Sequence, residues 1–135
     1  MHRRVSFPYE RVLTPIGFVW IPVARVQIVH VRIRLELDMT VDTGADLTMV
    51  PHQVGLHLGF RSGRGHVRTL SGIAGGTPYQ LVKARLTIGP FRMLSRIAWA
   101  QRDDVPMLLG RTDVLDHLIT TFDGERRQVT FRDLG

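Results

Sequence analysis

A carboxylate, a hydroxyl and a glycine interrupt an apolar run in VDTGADLTMV, residues 41–50. Asp42 is followed by Thr43 and Gly44, and apolar residues resume at Leu47. An acid in such a run is either a solvated residue at a strand end or a group placed for chemistry. The chemistry open to paired carboxyl groups is general acid–base catalysis, in which one takes a proton from water and the other protonates a carbonyl oxygen.

The residues before Asp42 predict the strand that positions it. From residue 29 to residue 38, apolar side chains alternate with polar ones, which is the period of a half-buried strand. Pro22 predicts an edge strand or a break between strands upstream. After the motif, PHQVGLHLGF at residues 51–60 predicts one short helix.

A glycine-rich stretch, residues 59–78, follows this helix. Such a density of glycine disfavours a helix and is typical of loops and hairpin tips. HVRTL and YQLVKARLTIG predict strands on the two sides of SGIAGG, residues 71–76. SGIAGG is therefore either a hairpin tip that opens and closes or a plain surface loop.

The C-terminal part contains shorter elements. FRMLSRIAWA predicts a strand, and MLLG predicts a short, fully apolar one. TDVLDHLI predicts a second short helix with Thr112 or Asp113 as its N-cap. Asp123 and Gly124 lie between two β-prone runs and predict a closing hairpin. The whole pattern predicts a mainly β domain with one or two short helices.

Four separated motifs occur in a fixed order: VDTGAD, SGIAGG, LLGR and FDGERRQVTF. Together they resemble the retropepsin-like aspartic proteases, and the bacterial members more than the viral ones. The resemblance covers roughly residues 20–131. It implies a retropepsin-like acid protease barrel, aspartic endopeptidase activity on peptide or protein substrates, and no cofactor or metal.

The resemblance also implies the source of the second carboxyl group. Peptide hydrolysis of this kind needs two carboxyl groups that share one proton, because like-charge repulsion keeps one of them protonated. Asp-Thr-Gly occurs once in 135 residues, and no other aspartate has a comparable setting. The second Asp42 would then come from a second copy across a two-fold axis, so that the active enzyme is a homodimer.

Individual residues gain expected roles from the resemblance. Thr43 would hydrogen-bond to the partner loop, and Gly44 would let its amide approach the Asp42 carboxylate. Asp46 and Arg111 match positions that pair in viral members, which predicts an ion pair between them. Structural support beneath the loop is expected from Leu108, Leu109, Gly110 and Arg111, and Gly110 would allow close backbone contact there. Substrate binding is expected from Ala45, Asp46, Gly72, Ile73, Ala74, Gly75 and Gly76. Ala45 replaces the hydroxyl residue of pepsin-type enzymes, so we expect activity in the mildly acidic range.

The composition limits the kinds of partner and bound group that the sequence indicates. Lysine and arginine total 18 against 12 acidic residues, a net charge of +6, but the basic residues are scattered and aromatic residues do not interleave them. This spread does not indicate nucleic-acid binding. The chain has no cysteine, which excludes disulfides and thiolate chemistry. Its six histidines lack metal-ligand spacing, and we expect no metal site.

We predict an N-terminal arm over residues 1–15 and a single retropepsin-like domain over residues 16–135. Neither a signal peptide nor an apolar run long enough to cross a bilayer is present, which predicts a cytoplasmic protein that does not bind membranes, unless it is cut from a longer one. An inactive peptide-binding or scaffold domain of the same fold is the alternative. It stays open because the chain ends in a charged hairpin, whereas interleaved terminal strands seal the viral dimers.

Overall fold

The computed structural model describes residues 3–62, 68–70 and 76–135. This part of the chain is mostly strand, with one short α-helix. In chain order the elements are β1 (Arg4–Pro8), β2 (Glu10–Thr14), β3 (Gly17–Ile21), β4 (Val23–His30), β5 (Ile33–Val41), β6 (Thr48–Val50), α1 (His52–His57), β7 (Arg68–Leu70), β8 (Thr77–Ile88), β9 (Phe91–Ala100), β10 (Leu108–Leu109), a 3-10 turn (Leu115–His117), β11 (Ile119–Asp123) and β12 (Gln128–Arg132).

Six strands close into a barrel. They pair in the order β4-β5-β10-β6-β9-β8, and β8 returns to pair with β4, where Ile28 lies opposite Leu86. Closure removes the free edges that an open sheet would expose. β7 extends the sheet beyond β8. Pro22 separates β3 from β4, as the sequence predicted.

The barrel interior is apolar, and every barrel strand contributes to it. The half-buried strand predicted over residues 29–38 is interrupted by a turn at Val31 and Arg32, which joins β4 to β5. Fully buried side chains from the six strands are Ile28, Met39, Leu109, Val50, Ile97 and Leu86. Burying each one stabilises the fold by about 1.5–3 kcal/mol, so the barrel is rigid enough to position a site at its end.

Helix α1 packs on this barrel through Gly55 and Trp99. A Cβ atom on Gly55 would lie 2.1 Å from the Trp99 indole nitrogen, so only glycine fits there. The indole N–H donates to the His52 carbonyl at 3.0 Å. α1 confirms the short helix predicted over residues 51–60. None of the helices in the described part of the chain has the length and apolar character needed to span a bilayer.

The helix predicted over TDVLDHLI is wrong, because the structure has only the 3-10 turn there. Asp113 adopts a left-handed backbone conformation with φ +69°. Its carboxylate does not cap a helix but accepts hydrogen bonds from the Arg96 amide at 3.0 Å and the Arg96 guanidinium at 2.8 Å. A tertiary ion pair with β9 thus outweighs the local helix tendency.

Residues 4–14 of the predicted N-terminal arm are built into sheets. β1 pairs with β12, which pairs in turn with β11, in a three-stranded antiparallel sheet. The Ser6 and Thr130 hydroxyls lie 2.7 Å apart across β1 and β12. β2 pairs with β3. The hairpin predicted at Asp123 and Gly124 is present as β11–β12, although its loop spans residues 124–127.

The Asp113–Arg96 pair predicts a pH-dependent loss of stability. Hydrogen bonds from the Arg96 guanidinium lower the pKa of the Asp113 carboxyl to about 2, whereas an unfolded aspartate has a pKa of about 3.9. The stabilisation is therefore complete above about pH 3.9 and is lost as the pH falls through about 2. Because the pair is partly exposed to solvent, we expect it to contribute about 1 kcal/mol to the free energy of unfolding.

Urea unfolding at pH 5 and pH 2.5 checks this contribution. Asp113→Asn keeps a residue that tolerates the left-handed conformation, and it should lose less stability between the two pH values than the wild type. Asp116→Asn changes an exposed aspartate of the 3-10 turn and serves as the control. Equal pH sensitivity of wild type and Asp113→Asn would contradict the role of the pair.

Candidate active site

Asp42 is the residue that follows β5. β10 lies between β5 and β6 and runs parallel to β5, with Leu109 opposite Val41. The Asp42 amide donates to the Leu109 carbonyl at 3.0 Å, so the pairing continues one residue beyond the strand. The position of Asp42 is therefore fixed by hydrogen bonds between strands, while its side chain is only half-buried.

The backbone turns tightly after Asp42. The Gly44 amide donates to Asp42 Oδ1 at 2.8 Å, and the Ala45 amide donates to the Asp42 carbonyl at 3.2 Å. A Cβ atom on Gly44 would lie 3.2 Å from the same Oδ1, which is closer than most side chains tolerate. The predicted approach of the Gly44 amide to the carboxylate is confirmed. Thr43, between them, is exposed.

Residues 110–112 join this loop to the barrel. The Arg111 amide donates to the Ala45 carbonyl at 3.0 Å, and the Thr112 amide donates to the Asp46 carbonyl at 2.9 Å. The Arg111 guanidinium also forms an ion pair with the Asp46 carboxylate, as the sequence predicted. The loop is thus bonded through both its backbone and one side chain.

Gly110 lies where the two segments approach most closely. A Cβ atom on Gly110 would lie 2.4 Å from the Leu47 carbonyl carbon and 2.5 Å from its oxygen. The Gly110 amide donates to the hydroxyl of Thr48, which is fully buried, at 3.0 Å. The close backbone contact predicted for Gly110 is confirmed. The motifs do not predict this role of Thr48. The available signal was a hydroxyl side chain inside the apolar run LTMV.

A family comparison identifies the class of protein in which this arrangement occurs. The model of the family described as "Aspartyl protease" matches residues 21–112. That range is well over half of the chain and contains both the Asp42 loop and LLGR. The chain belongs to the aspartyl protease family.

Solved structures agree with this assignment. A retropepsin-like aspartic protease from Rickettsia conorii matches with a TM-score of 0.65 and 15% identity, over 95% of this chain and 98% of that chain. The EIAV protease complexed with the inhibitor HBY-793 matches with a TM-score of 0.53 and 22% identity, over 71% of this chain and 86% of that chain. Comparison with curated protein sequences finds no match. The predicted retropepsin-like fold is confirmed.

Three of the predicted site residues lie below the surface. Leu108 is buried and Leu109 is fully buried. Ala45, predicted to bind substrate, is also buried and belongs to an apolar cluster with Tyr79 and Leu108. Its methyl group contributes packing beneath the loop, and a role in substrate binding stays a prediction.

The hairpin tip predicted at SGIAGG, residues 71–76, which we call the flap, is described only in part. β7 and β8 pair antiparallel on its two sides, with Leu70 opposite Thr77, which confirms the two strands expected there. Gly76 has φ +89°, a conformation that favours glycine, and begins the return into β8. Gly72, Ile73, Ala74 and Gly75 lie outside the described residues, so their role stays a prediction.

Other features of this family member lie apart from Asp42. A cavity of about 670 Å³ is lined by the β4–β5 turn, the residues after α1 and part of β8, and its lining includes no residue of the Asp42 loop. The described residues contain no group of three histidine or acidic side chains that could hold a metal ion.

The Asp46–Arg111 ion pair is expected to add little to stability. Both side chains are largely exposed, at 71% and 46%, and solvent weakens such pairs to below about 1 kcal/mol. The backbone bonds of Arg111 and Thr112 would hold the loop without it. A double-mutant cycle with Asp46→Asn and Arg111→Gln, followed by urea unfolding, measures the coupling energy. A coupling above about 2 kcal/mol would contradict this expectation.

Proposed function

We propose that this protein is an aspartic endopeptidase whose active form is a homodimer, with a water activated by two Asp42 carboxylates, one from each subunit. The observation that carries the proposal is the position of Asp42. Its backbone is bonded to Leu109 and its carboxylate to the Gly44 amide, while the side chain stays partly open to solvent. A fixed but accessible carboxylate is what acid–base catalysis requires.

The surroundings of Asp42 support a second carboxyl group from another copy. Asp38 and Asp46 are the acids nearest to Asp42 in sequence, four residues away on either side. Asp46 is held by Arg111, and Asp38 is paired with Arg25 at 3.2 Å, so both are engaged in ion pairs. The Gly44 amide occupies one oxygen of Asp42, which leaves the other oxygen for a proton or a water.

The reaction then proceeds in two steps. One Asp42 carboxylate takes a proton from water, the water oxygen bonds to the peptide carbonyl carbon, and the protonated Asp42 of the other subunit gives its proton to the carbonyl oxygen. In the second step the C–N bond breaks, the nitrogen takes the proton that the first Asp42 took from water, and one hydroxyl of the tetrahedral diol returns its proton to the other Asp42. A carboxylic acid and an amine leave, and the two carboxyl groups again share one proton. No covalent intermediate with the enzyme forms.

The substrate in this proposal is an extended peptide. Its backbone would pair with the flap, which includes Gly76, and closure of the flap would exclude water. Leu47 and Met107 are half-buried near the loop and Pro106 is exposed, which offers apolar surface for side chains on both sides of the cleaved bond. We therefore expect cleavage between apolar residues.

Digestion of a diverse peptide library, with cut sites located by mass spectrometry, tests this function. We expect cuts between apolar residues, with activity in the mildly acidic range because Ala45 offers no hydroxyl to the site. The rate per subunit should rise with protein concentration until dimers form. Absence of cleavage at every pH and concentration would contradict the proposal.

A binding or scaffold domain without peptidase activity is the second candidate. It is favoured by the terminal sheet, in which β1 pairs with β12 of the same chain, so that no partner strand is needed to complete that pairing. Sedimentation at several concentrations separates the two functions, because a strict monomer holds only one Asp42.

A further inference from the structure

The β2–β3 ribbon, residues 10–21, carries an exposed apolar face. Leu13 lies opposite Phe18, and Arg11 lies opposite Trp20, so all four side chains share one side of the ribbon. Leu13 is 68% exposed, Phe18 60% and Trp20 42%, and Ile16 at the tip is 88% exposed. The opposite face, which includes Val12 and Val19, is half-buried.

This ribbon does not join the other sheets described in the structure. β2 and β3 pair only with each other there. A two-stranded ribbon is marginally stable in water unless one of its faces is packed. Exposed clusters of large apolar and aromatic side chains are typical of protein interaction sites. The exposed face of the ribbon is therefore suited to a protein surface.

Contacts within the chain fix the orientation of the ribbon and of its aromatic side chains. At its base, the Tyr9 amide donates to the Arg127 carbonyl at 2.8 Å. The Arg127 guanidinium lies 4.1 Å from the centre of the Trp20 ring, and the Arg11 guanidinium lies 4.3 Å from the centre of the Phe18 ring. Side chains fixed in this way lose little conformational entropy on binding.

The base of the ribbon, where Glu10 lies opposite Ile21, also leads to the candidate active site. Pro22 follows β3, and its carbonyl accepts a hydrogen bond from the amide of Val41 at 2.9 Å. Val41 is the residue before Asp42. The ribbon thus leaves the barrel at the end that carries Asp42, which is the end that a second copy must approach to bring its own Asp42 into contact.

We infer that the β2–β3 ribbon is an arm that binds the second copy of this chain. The inference rests on the proposed function, which requires a second copy that carries Asp42 to meet this end of the barrel. In a two-fold dimer each arm would contact the other subunit, so the apolar faces of both arms would be buried. The arm would add to contacts around the Asp42 loops, because a stable interface needs about 800 Å² from each partner.

Sedimentation equilibrium and peptide cleavage of arm variants test this inference. Leu13→Thr combined with Phe18→Thr removes the apolar pair and keeps residues that favour strands. We expect the dimer dissociation constant to rise at least about 30-fold, with activity restored only at higher protein concentration. Leu94→Thr on β9, where the side chain is 65% exposed, is the matched control and should leave dimerisation unchanged.

A second variant guards against damage to the ribbon itself. Ile16→Asp places a charge at the exposed tip and should also weaken the dimer, while urea unfolding matches that of the wild type. If the wild type forms dimers and cleaves peptides but both arm variants dimerise as the control does, the arm inference is overturned and the proposed function stands. If the arm variants dimerise normally and only KM rises, the ribbon binds substrate instead, and the inference is also overturned. A wild type that is monomeric and inactive at every concentration overturns both.

Discussion

Replacing Asp42 with asparagine is expected to lower kcat/KM for peptide cleavage by about 10⁴-fold or more, because the amide can neither accept the proton of water nor donate one as an acid. The fold should survive, since the asparagine oxygen can still accept the Gly44 amide that Asp42 Oδ1 accepts at 2.8 Å. Steady-state cleavage of a single peptide chosen from the library, at matched protein concentrations, measures the change.

Asp116→Asn is the matched control for this substitution. Asp116 is exposed in the 3-10 turn, and its carboxylate has no ion pair among the described residues. The same chemical change there should leave kcat/KM within about twofold of the wild type. If Asp42→Asn retained activity equal to that of Asp116→Asn, the cleavage would have to be assigned to another group or to a contaminating protease.

Gly110→Ala is expected to destabilise the fold by about 3 kcal/mol or more, because its Cβ atom would overlap the Leu47 carbonyl at 2.4–2.5 Å. The carbon and oxygen atoms that the Cβ atom would meet belong to the Leu47 backbone, so no side-chain rotation relieves the clash. Any relief would move Arg111 away from the Asp42 loop, and activity should fall together with stability. Urea unfolding measures the loss of free energy.

Gly124→Ala separates this clash from a general effect of replacing glycine. Gly124 lies in the β11–β12 loop, where an added Cβ atom would have nothing within 4 Å. Its φ is not in the left-handed region, so alanine should change the free energy of unfolding by less than about 0.5 kcal/mol. Equal stability of the Gly110 and Gly124 variants would contradict the close approach of LLGR to the Asp42 loop.

Asp42 and Gly110 belong to one junction, where the Asp42 loop meets LLGR. The Asp42 loop is fixed mainly by backbone hydrogen bonds to residues 109–112 and by the buried Thr48 hydroxyl. The exposed Asp46–Arg111 pair adds a side-chain contact to the same junction. An enzyme that must align two carboxylates gains from such stiffness, because small displacements of catalytic groups cost much of the rate.

Local patterns in the sequence predicted the elements around the site well. Period-two alternation indicated β5, although the same alternation runs through the turn before it, and the resemblance predicted the Asp46–Arg111 pair and the close contact at Gly110. These features depend on neighbours in sequence or on motifs that occur together.

Features set by distant partners could not be predicted from local patterns alone. β1 alternates apolar Val5 and Phe7 with polar neighbours, but it has only five residues, and its strand conformation depends on β12, more than a hundred residues away. The prediction of a second helix over TDVLDHLI was wrong because Asp113 binds Arg96 on β9. Closure of the barrel through β4 and β8 likewise depends on a contact that no local pattern encodes. In each case a tertiary interaction outweighs local propensity.

A titration of wild-type protein with Asp42→Asn protein tests most directly whether two copies share one active site. The wild type is held at a fixed concentration above its dimer dissociation constant, and peptide cleavage is followed as the variant is added. At a tenfold excess of variant, random pairing leaves about one-tenth of the wild-type subunits with a wild-type partner, so activity should fall to about that fraction. Unchanged activity, while affinity capture of a tagged Asp42→Asn subunit recovers wild-type subunits in mixed dimers, would contradict a site built from two Asp42 carboxylates.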